Sequence, residues 1–294
     1  MSASSLASPH PARRLLAVFA HPDDESFGPG GTLALYAHQG VEVHLICATR
    51  GEVGAAPPHL LDGHTDVASL RESELRCAAG HLGLTGVHFL GYRDSGMPGS
   101  ADNQHPQALA AAPIEDVAQR LVWYIRRLGP QVVITFDPIG GYRHPDHIAI
   151  HRATVMAFDQ AGDSSCLPQA GPPHQAKKLY FAAFPRRAMR WMVRLMPLVG
   201  RDPRRFGQNG DIDLVDIAAQ DFAVHARIDI RSVAERKTLA SACHASQGGM
   251  PRRGLVGWLF RIGAGSESFT RAIPPAPEGL RERDLFDGIA PIPG

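Results

Sequence analysis

Hydrophobic positions along the chain fall into two alternating periods. Short apolar runs at 14–20, 41–49, 87–90, 131–136 and 178–183 read as strands. The run at 131–136 is β-branched and uncharged, as a central strand is. Between these runs, 32–39, 67–82, 114–128 and 148–161 read as helices. In 67–82 the apolar residues Leu70, Leu75, Ala78, Ala79 and Leu82 recur at helical spacing among Arg71, Glu72, Glu74 and Arg76. Gly40 closes the first helix as a C-cap glycine does. Strands alternating with helices predict right-handed βαβ units and a parallel sheet in an α/β fold. The simplest strand order is 3-2-1-4-5, which makes strands one and four neighbours at the topological switch point.

Beyond residue 184 the pattern changes. Met189, Met192, Val193, Met196 and Val199 share one helical face of 186–200 and Arg187, Arg190 and Arg194 the other, with Pro197 ending or kinking the helix. An edge strand at 226–230 and a helix at 233–244 follow, then a Gly/Arg-rich segment at 248–265 and a proline-rich tail that reads as poorly ordered. The expected organisation is a flexible tail (1–12), an α/β core (13–185) and a C-terminal lid or subdomain (186–294).

Composition narrows the function. A chain of 294 residues with 44% hydrophobic content can bury one substantial core or two small ones. A net charge of +1 offers no field for nucleic acid. Cys47, Cys77, Cys166 and Cys243 lie far apart with no C-x-x-C, which speaks against a disulfide framework and a thiolate zinc site. A reducing, cytoplasmic setting fits. The first twelve residues lack the basic and apolar regions of a signal peptide. No apolar run approaches the ~20 residues of a membrane helix, although the Arg-rich face of 186–205 is compatible with peripheral association. A homo-oligomer is compatible with the sequence.

Two turns carry the candidate chemistry. After strand one comes Ala20-His21-Pro22-Asp23-Asp24-Glu25, and after strand four comes Tyr142-Arg143-His144-Pro145-Asp146-His147. If strands one and four are neighbours, both turns open into one crevice. His21 and Asp24, three apart, are close enough to share an ion, and His147 reaches it from the next turn. Two imidazoles and one carboxylate suit zinc with an open position for water, and iron fits the same set. Asp23 would stand beside that water as general base and acid. His144, oriented by Asp146, would stabilise the oxyanion, with Tyr142 a second candidate donor. Alone, His-Pro-Asp-Asp reads as a capped turn, and the second His-Pro-Asp-His is what favours a metal. His244 reads as a core histidine, His151 as a helix-face residue, and Glu52 is unassigned.

The motifs at 20–25 (AHPDDE) and 144–147 (HPDH) resemble the LmbE/PIG-L family of zinc-dependent N-acetylglucosamine deacetylases. The resemblance extends weakly to His244-Ala245-Ser246-Gln247. It implies a Rossmann-like fold, a catalytic core at 13–185 and deacetylation of a small GlcNAc conjugate. It also implies His21, Asp24 and His147 as zinc ligands, Asp23 as acid/base and His144 with Asp146 on the oxyanion side. The segment Tyr92-Arg93-Asp94-Ser95-Gly96-Met97 is similar to the mycothiol and bacillithiol branch. That similarity implies Asp94 on sugar hydroxyls and Arg71 on the aglycone or sugar side. An amidase for a larger acyl group and a non-catalytic sugar- or metal-binding protein are the competing readings.

Overall fold

A computed structural model describes residues 13–183, 186–205, 213–220, 222–248 and 265–290. Seven strands form one sheet, in the order β3-β2-β1-β4-β5-β7-β6. They are β1 (Arg14–Phe19), β2 (Glu42–Cys47), β3 (Gly86–Phe89), β4 (Val132–Thr135), β5 (Lys178–Ala183), β6 (Ala226–Asp229) and β7 (Ser266–Ile273). The first five are parallel and in the expected order, with Leu15 opposite Val132 on neighbouring β1 and β4. Residues 15–20 and 132–134 are buried, as strands covered on both faces must be.

Nine helices are described: α1 (Asp24–Phe27), α2 (Gly30–His38), α3 (Val67–Leu82), α4 (Ile114–Leu128), α5 (Gly140–Arg143), α6 (Pro145–Gln160), α7 (Arg186–Leu195), α8 (Leu214–Ala219) and α9 (Ala234–Cys243). Helix α3 has the predicted bounds because both ends are coded locally. Asp66 and Ser69 form a capping box at its start, and Gly83 ends it in the left-handed conformation at φ 76°. Helix α6 begins three residues earlier than expected, since His144 is its N-cap and Pro145 suits the first helical position.

Several expectations are corrected. Strand β7 was not anticipated; it enters antiparallel between β5 and β6, and β6 takes the edge position expected of 226–230. The expected linker 162–175 is pinned by Arg126, whose guanidinium donates to the carbonyls of Gln160, Ala161, Asp163, Cys166, Leu167 and Gly171. This single cation thereby caps the C-terminus of α6. The tail is ordered over the described part, 274–290. Leu285 and Phe286 are buried, while Glu282 accepts from Lys178 Nζ at 2.7 Å, Tyr180 OH at 2.7 Å and Arg271 Nη1 at 2.9 Å. Finally, Cys77 and Cys243 are joined in a disulfide across 166 residues, with Cα atoms 5.9 Å apart. Spacing along the chain could not show that pairing.

The glycines that open α2 depend on this C-terminal strand. Glu267 of β7 accepts from the backbone of Gly31 and Thr32 at 2.9 and 2.7 Å, and pairs with Lys237 at 2.6 Å. Orphan amides at the helix start are thus satisfied from 235 residues away. Helix α7 ends before a 3₁₀ turn carrying Pro197, and Trp191, Leu195 and Leu198 are exposed. The Gly/Arg-rich expectation at 249–264 lies outside the described residues. Among the described residues no helix is long and apolar enough to cross a membrane.

Candidate metal centre

Strand β1 delivers His21 and strand β4 delivers the 137–147 turn to one crevice, as their adjacency requires. His21 Nδ1 lies 3.1 Å from His147 Nε2. Asp24 closes the triangle, its Oδ1 at 3.4 Å from His147 Nε2 and its Oδ2 at 3.6 Å from His21 Nδ1. Donors about 2.0–2.2 Å from one tetrahedral ion stand roughly 3.3–3.6 Å apart, and the two ring nitrogens with the two oxygens of the Asp24 carboxylate are spaced close to that, with His144 grouped beside His21 and His147.

The remaining ring nitrogens are held by neighbouring groups. His21 Nε2 lies 3.0 Å from Asp146 Oδ2, so Nδ1 is the ring nitrogen that faces the triangle. His147 Nδ1 lies 3.2 Å from the carbonyl of Gly140, so Nε2 faces inward. Gly140 has φ 65°, and a Cβ there would meet His147 Cβ at 2.8 Å; only glycine allows this approach. The His147 ring also stacks on Phe136, with centroids 3.9 Å apart.

Charge and burial oppose one another across the cluster. Burial disfavours charge on His21, yet Asp94 and hydrogen bonds to Asp146 and Asp24 raise its pKa well above 6.5. Burial would likewise raise Asp24, but His147 and His21 hold it well below the usual carboxylate range. His147 is pushed down to about 4, chiefly by burial. A carboxylate at Asp24 and a neutral imidazole at His147 are the forms in which these groups could hold a cation.

Asp23 lies beside the triangle in an unusual backbone conformation, φ 130° and ψ −28°. Two contacts over-determine it: its N–H donates to Glu25 Oε2 at 3.0 Å, and its Oδ2 accepts from Arg71 Nη2 at 3.1 Å. Burial pushes its carboxyl up to about 7 against the pull of Arg71. Arg71 was expected at the substrate, but its guanidinium is buried and donates also to the carbonyls of Pro22 and Gly51. Its contacts tie the turn that holds Asp23 to the loop after β2.

The expected contact between His144 and Asp146 runs through the backbone of Asp146, not its carboxylate. His144 Nδ1 accepts from the backbone N–H of Asp146 at 3.2 Å, so in the neutral ring Nε2 carries the proton. Burial pushes this ring down to about 3, with His21 and His147 adding to the effect. The Asp146 carboxylate faces His21 instead, and accepts from Ser95 N at 2.9 Å and from Ser95 Oγ. Asp94 Oδ1 accepts from Gly96 N at 2.8 Å and lies 3.5 Å from His21 Nε2. Tyr142 faces His147 with ring centroids 4.9 Å apart, and packs on Met196, Leu214 and Ile217.

Several supporting contacts are not visible in the sequence. Glu25, fully buried, lies 2.7 Å from His244 Nε2 and accepts from Ser26 Oγ. Glu52 accepts from the backbone of Asp94 at 3.0 Å, and Ser95 holds Asp146. The first lies inside the His-Pro-Asp-Asp-Glu motif, and His244 opens His-Ala-Ser-Gln; only their mutual contact was hidden. His151 is buried, with Nδ1 2.8 Å from the carbonyl of Phe136. A cavity of about 140 Å³ opens at the triangle, lined by Asp23, Asp24, Tyr142 and His147 and walled by Phe27 and Phe136.

A Rossmann-like sheet presenting two imidazoles and two carboxylates at its switch point is the framework of a metal-dependent hydrolase. Residues 16–158 match the family described as PIG-L: GlcNAc-PI de-N-acetylase. A protein of Acidothermus cellulolyticus named 1D-myo-inositol 2-acetamido-2-deoxy-alpha-D-glucopyranoside deacetylase is 40% identical over 291 residues, covering 94% of this chain and 95% of its own. A protein of the same name from Thermobifida fusca is 41% identical over 244 residues, covering 80% and 83%. Among solved structures, N,N'-diacetylchitobiose deacetylase from Pyrococcus horikoshii superposes with a TM-score of 0.59 at 20% identity, over 89% of this chain and 84% of that one. The chain belongs to the LmbE/PIG-L family of metal-dependent deacetylases.

Proposed function

We propose that this enzyme removes the N-acetyl group from a small N-acetylglucosamine conjugate, with an inositol aglycone favoured by the names of its relatives. The observation that carries the reading is the triangle of 3.1, 3.4 and 3.6 Å with Asp23 at its side. His21, Asp24 and His147 would hold the metal, zinc by donor chemistry with iron able to take the same set. When bound, such an ion lowers the pKa of a water towards ~7 and polarises the substrate carbonyl.

The chain supplies the rest. Arg71 holds Asp23 Oδ2, and Oδ1 has no partner among the described residues, so Oδ1 takes the proton of the attacking water. Asp23 then returns that proton to the leaving amine nitrogen. His144, neutral and protonated at Nε2, donates a hydrogen bond to the carbonyl oxygen as negative charge develops there. Phe27 and Phe136 give the cavity apolar walls suited to the acetyl methyl group. Asp94 reaches the sugar only if its bond to Gly96 leaves Oδ2 outward, and Arg71 acts on substrate through Asp23. The described residues beyond 186 serve as a cover as well as a sheet extension, since Tyr142 rests on Met196, Leu214 and Ile217 and β7 and β6 extend the sheet. The cytoplasm is the proposed location.

Amine release from GlcNAc conjugates, measured with and without a chelator in wild type and Asp23→Asn, tests this. Wild type is expected to release amine and to stop when the metal is removed. Asp23→Asn is expected to keep its metal content while turnover falls by about 10²–10⁴-fold. Chelator-resistant release, or normal turnover in the variant, would overturn the proposal.

A further inference from the structure

We propose that Cys77, His81 and Cys243 form a second metal site, for a thiophilic divalent ion of the zinc class, which exists only while the two sulfurs are reduced. Cys77 and His81 are four residues apart on α3 and therefore lie on one face of that helix. Cys243 is the last residue of α9, which packs along α3. One ligand atom from each of the three lies within 4.8 Å of the other two. Zinc about 2.3 Å from sulfur and 2.0 Å from nitrogen requires donors roughly 3.3–3.8 Å apart, a small adjustment from that arrangement.

The chemistry differs from that of the crevice. Two thiolates and an imidazole form a soft set, whereas the His21, Asp24, His147 triangle contains no sulfur. Cys77 and His81 are exposed and Cys243 is half-buried, so an ion can enter from solvent and keep a water in its fourth position. His81 is the telling member. A disulfide that merely staples α3 to α9 needs no imidazole beside it, yet one stands within reach of both sulfurs.

The joined and reduced states exclude each other because they use the same atoms. Two molecules of a small thiol supply two electrons and two protons to the Cys77–Cys243 bond and leave as their own disulfide. Each cysteine then gives up its proton when the ion binds. A small-molecule disulfide reverses this: it accepts the two electrons, takes two protons and leaves as two thiols, while the sulfur–sulfur bond re-forms and the ion is expelled.

The test uses the full-length protein with its crevice pre-loaded with zinc, reduced by a phosphine and titrated with Co²⁺. Thiolate-to-cobalt charge-transfer absorption reports sulfur ligation, to which the crevice is blind. Reduced wild type is expected to develop that absorption, saturating at one equivalent and displaced by zinc. Cys77→Ser, Cys243→Ser and the oxidised wild type are expected to lack it. His81→Ala, a surface change that leaves both sulfurs in place, is expected to weaken cobalt binding by about tenfold or more. Cys166→Ser, which alters a cysteine outside the cluster, is expected to behave as wild type. Absence of the absorption in reduced wild type overturns the proposal. So does its persistence in Cys77→Ser or after oxidation, or unchanged affinity in His81→Ala.

Discussion

Glu25 does as much for the crevice as the residues that face it. Its carboxylate is fully buried and faces three partners: Asp23 N–H, Ser26 Oγ and His244 Nε2. A non-glycine residue at φ 130° costs on the order of 1–3 kcal/mol and persists only where neighbours hold it. We therefore predict that His244 positions Asp23 through Glu25. His244→Phe fills the space but cannot bond Glu25. We expect kcat to fall roughly tenfold or more, about 1.4 kcal/mol of barrier, with KM and metal content little changed. His244→Gln, which can still donate to Glu25, is expected to recover part of the loss, and steady-state kinetics on the two variants check this.

At the scale of elements, the β2–β3 pair carries a pH-sensitive contact. His44 and His88 stack with centroids 5.6 Å apart, and burial lowers the pKa of both below 6.5, His44 being lowered further by His88. The folded chain thus favours neutral rings, while the unfolded chain takes up protons first as pH falls through about 6.5. The contribution is present above that pH and is lost below it. Thermal unfolding is expected to show Tm falling between about pH 7 and about pH 5, with a shallower slope in the His44→Gln/His88→Gln double variant.

Elements were legible in the sequence where their signals are local. Helix α3 carries Asp66, Ser69 and Gly83 at its own ends, and β1 and β4 are apolar throughout. Strand β7 was not legible, because only Ser268 and Phe269 along it are buried. Its Glu267 is committed to α2 and Lys237, and its Arg271 to Glu282, so long-range polar partners replace the apolar alternation that marks a strand.

Over the whole molecule, the same divide runs through the site. His21, Asp24 and His147 could be brought together from sequence because they sit in turns after neighbouring strands. The Glu25–His244 contact spans 219 residues and the Cys77–Cys243 pair 166, and no periodicity encodes either. The same long reach stabilises the tail. Lys178 and Glu282 are both buried, and Tyr180 and Arg271 share that carboxylate. Glu282→Ala strands a buried ammonium, and we expect a loss of about 3–5 kcal/mol in urea unfolding, with the slope of the transition unchanged.

The position of β7 also bears on how the protein is made. It follows every other described strand in the chain, yet it occupies an inner place, and β6, translated earlier, can join the sheet only through it. Until residue 273 has emerged from the exit tunnel, the nascent chain holds an open β5 border, the kind of unpaired edge that recruits other chains. A stalled or prematurely terminated product ending before 265 would carry that border permanently and would be a client for chaperones and proteases.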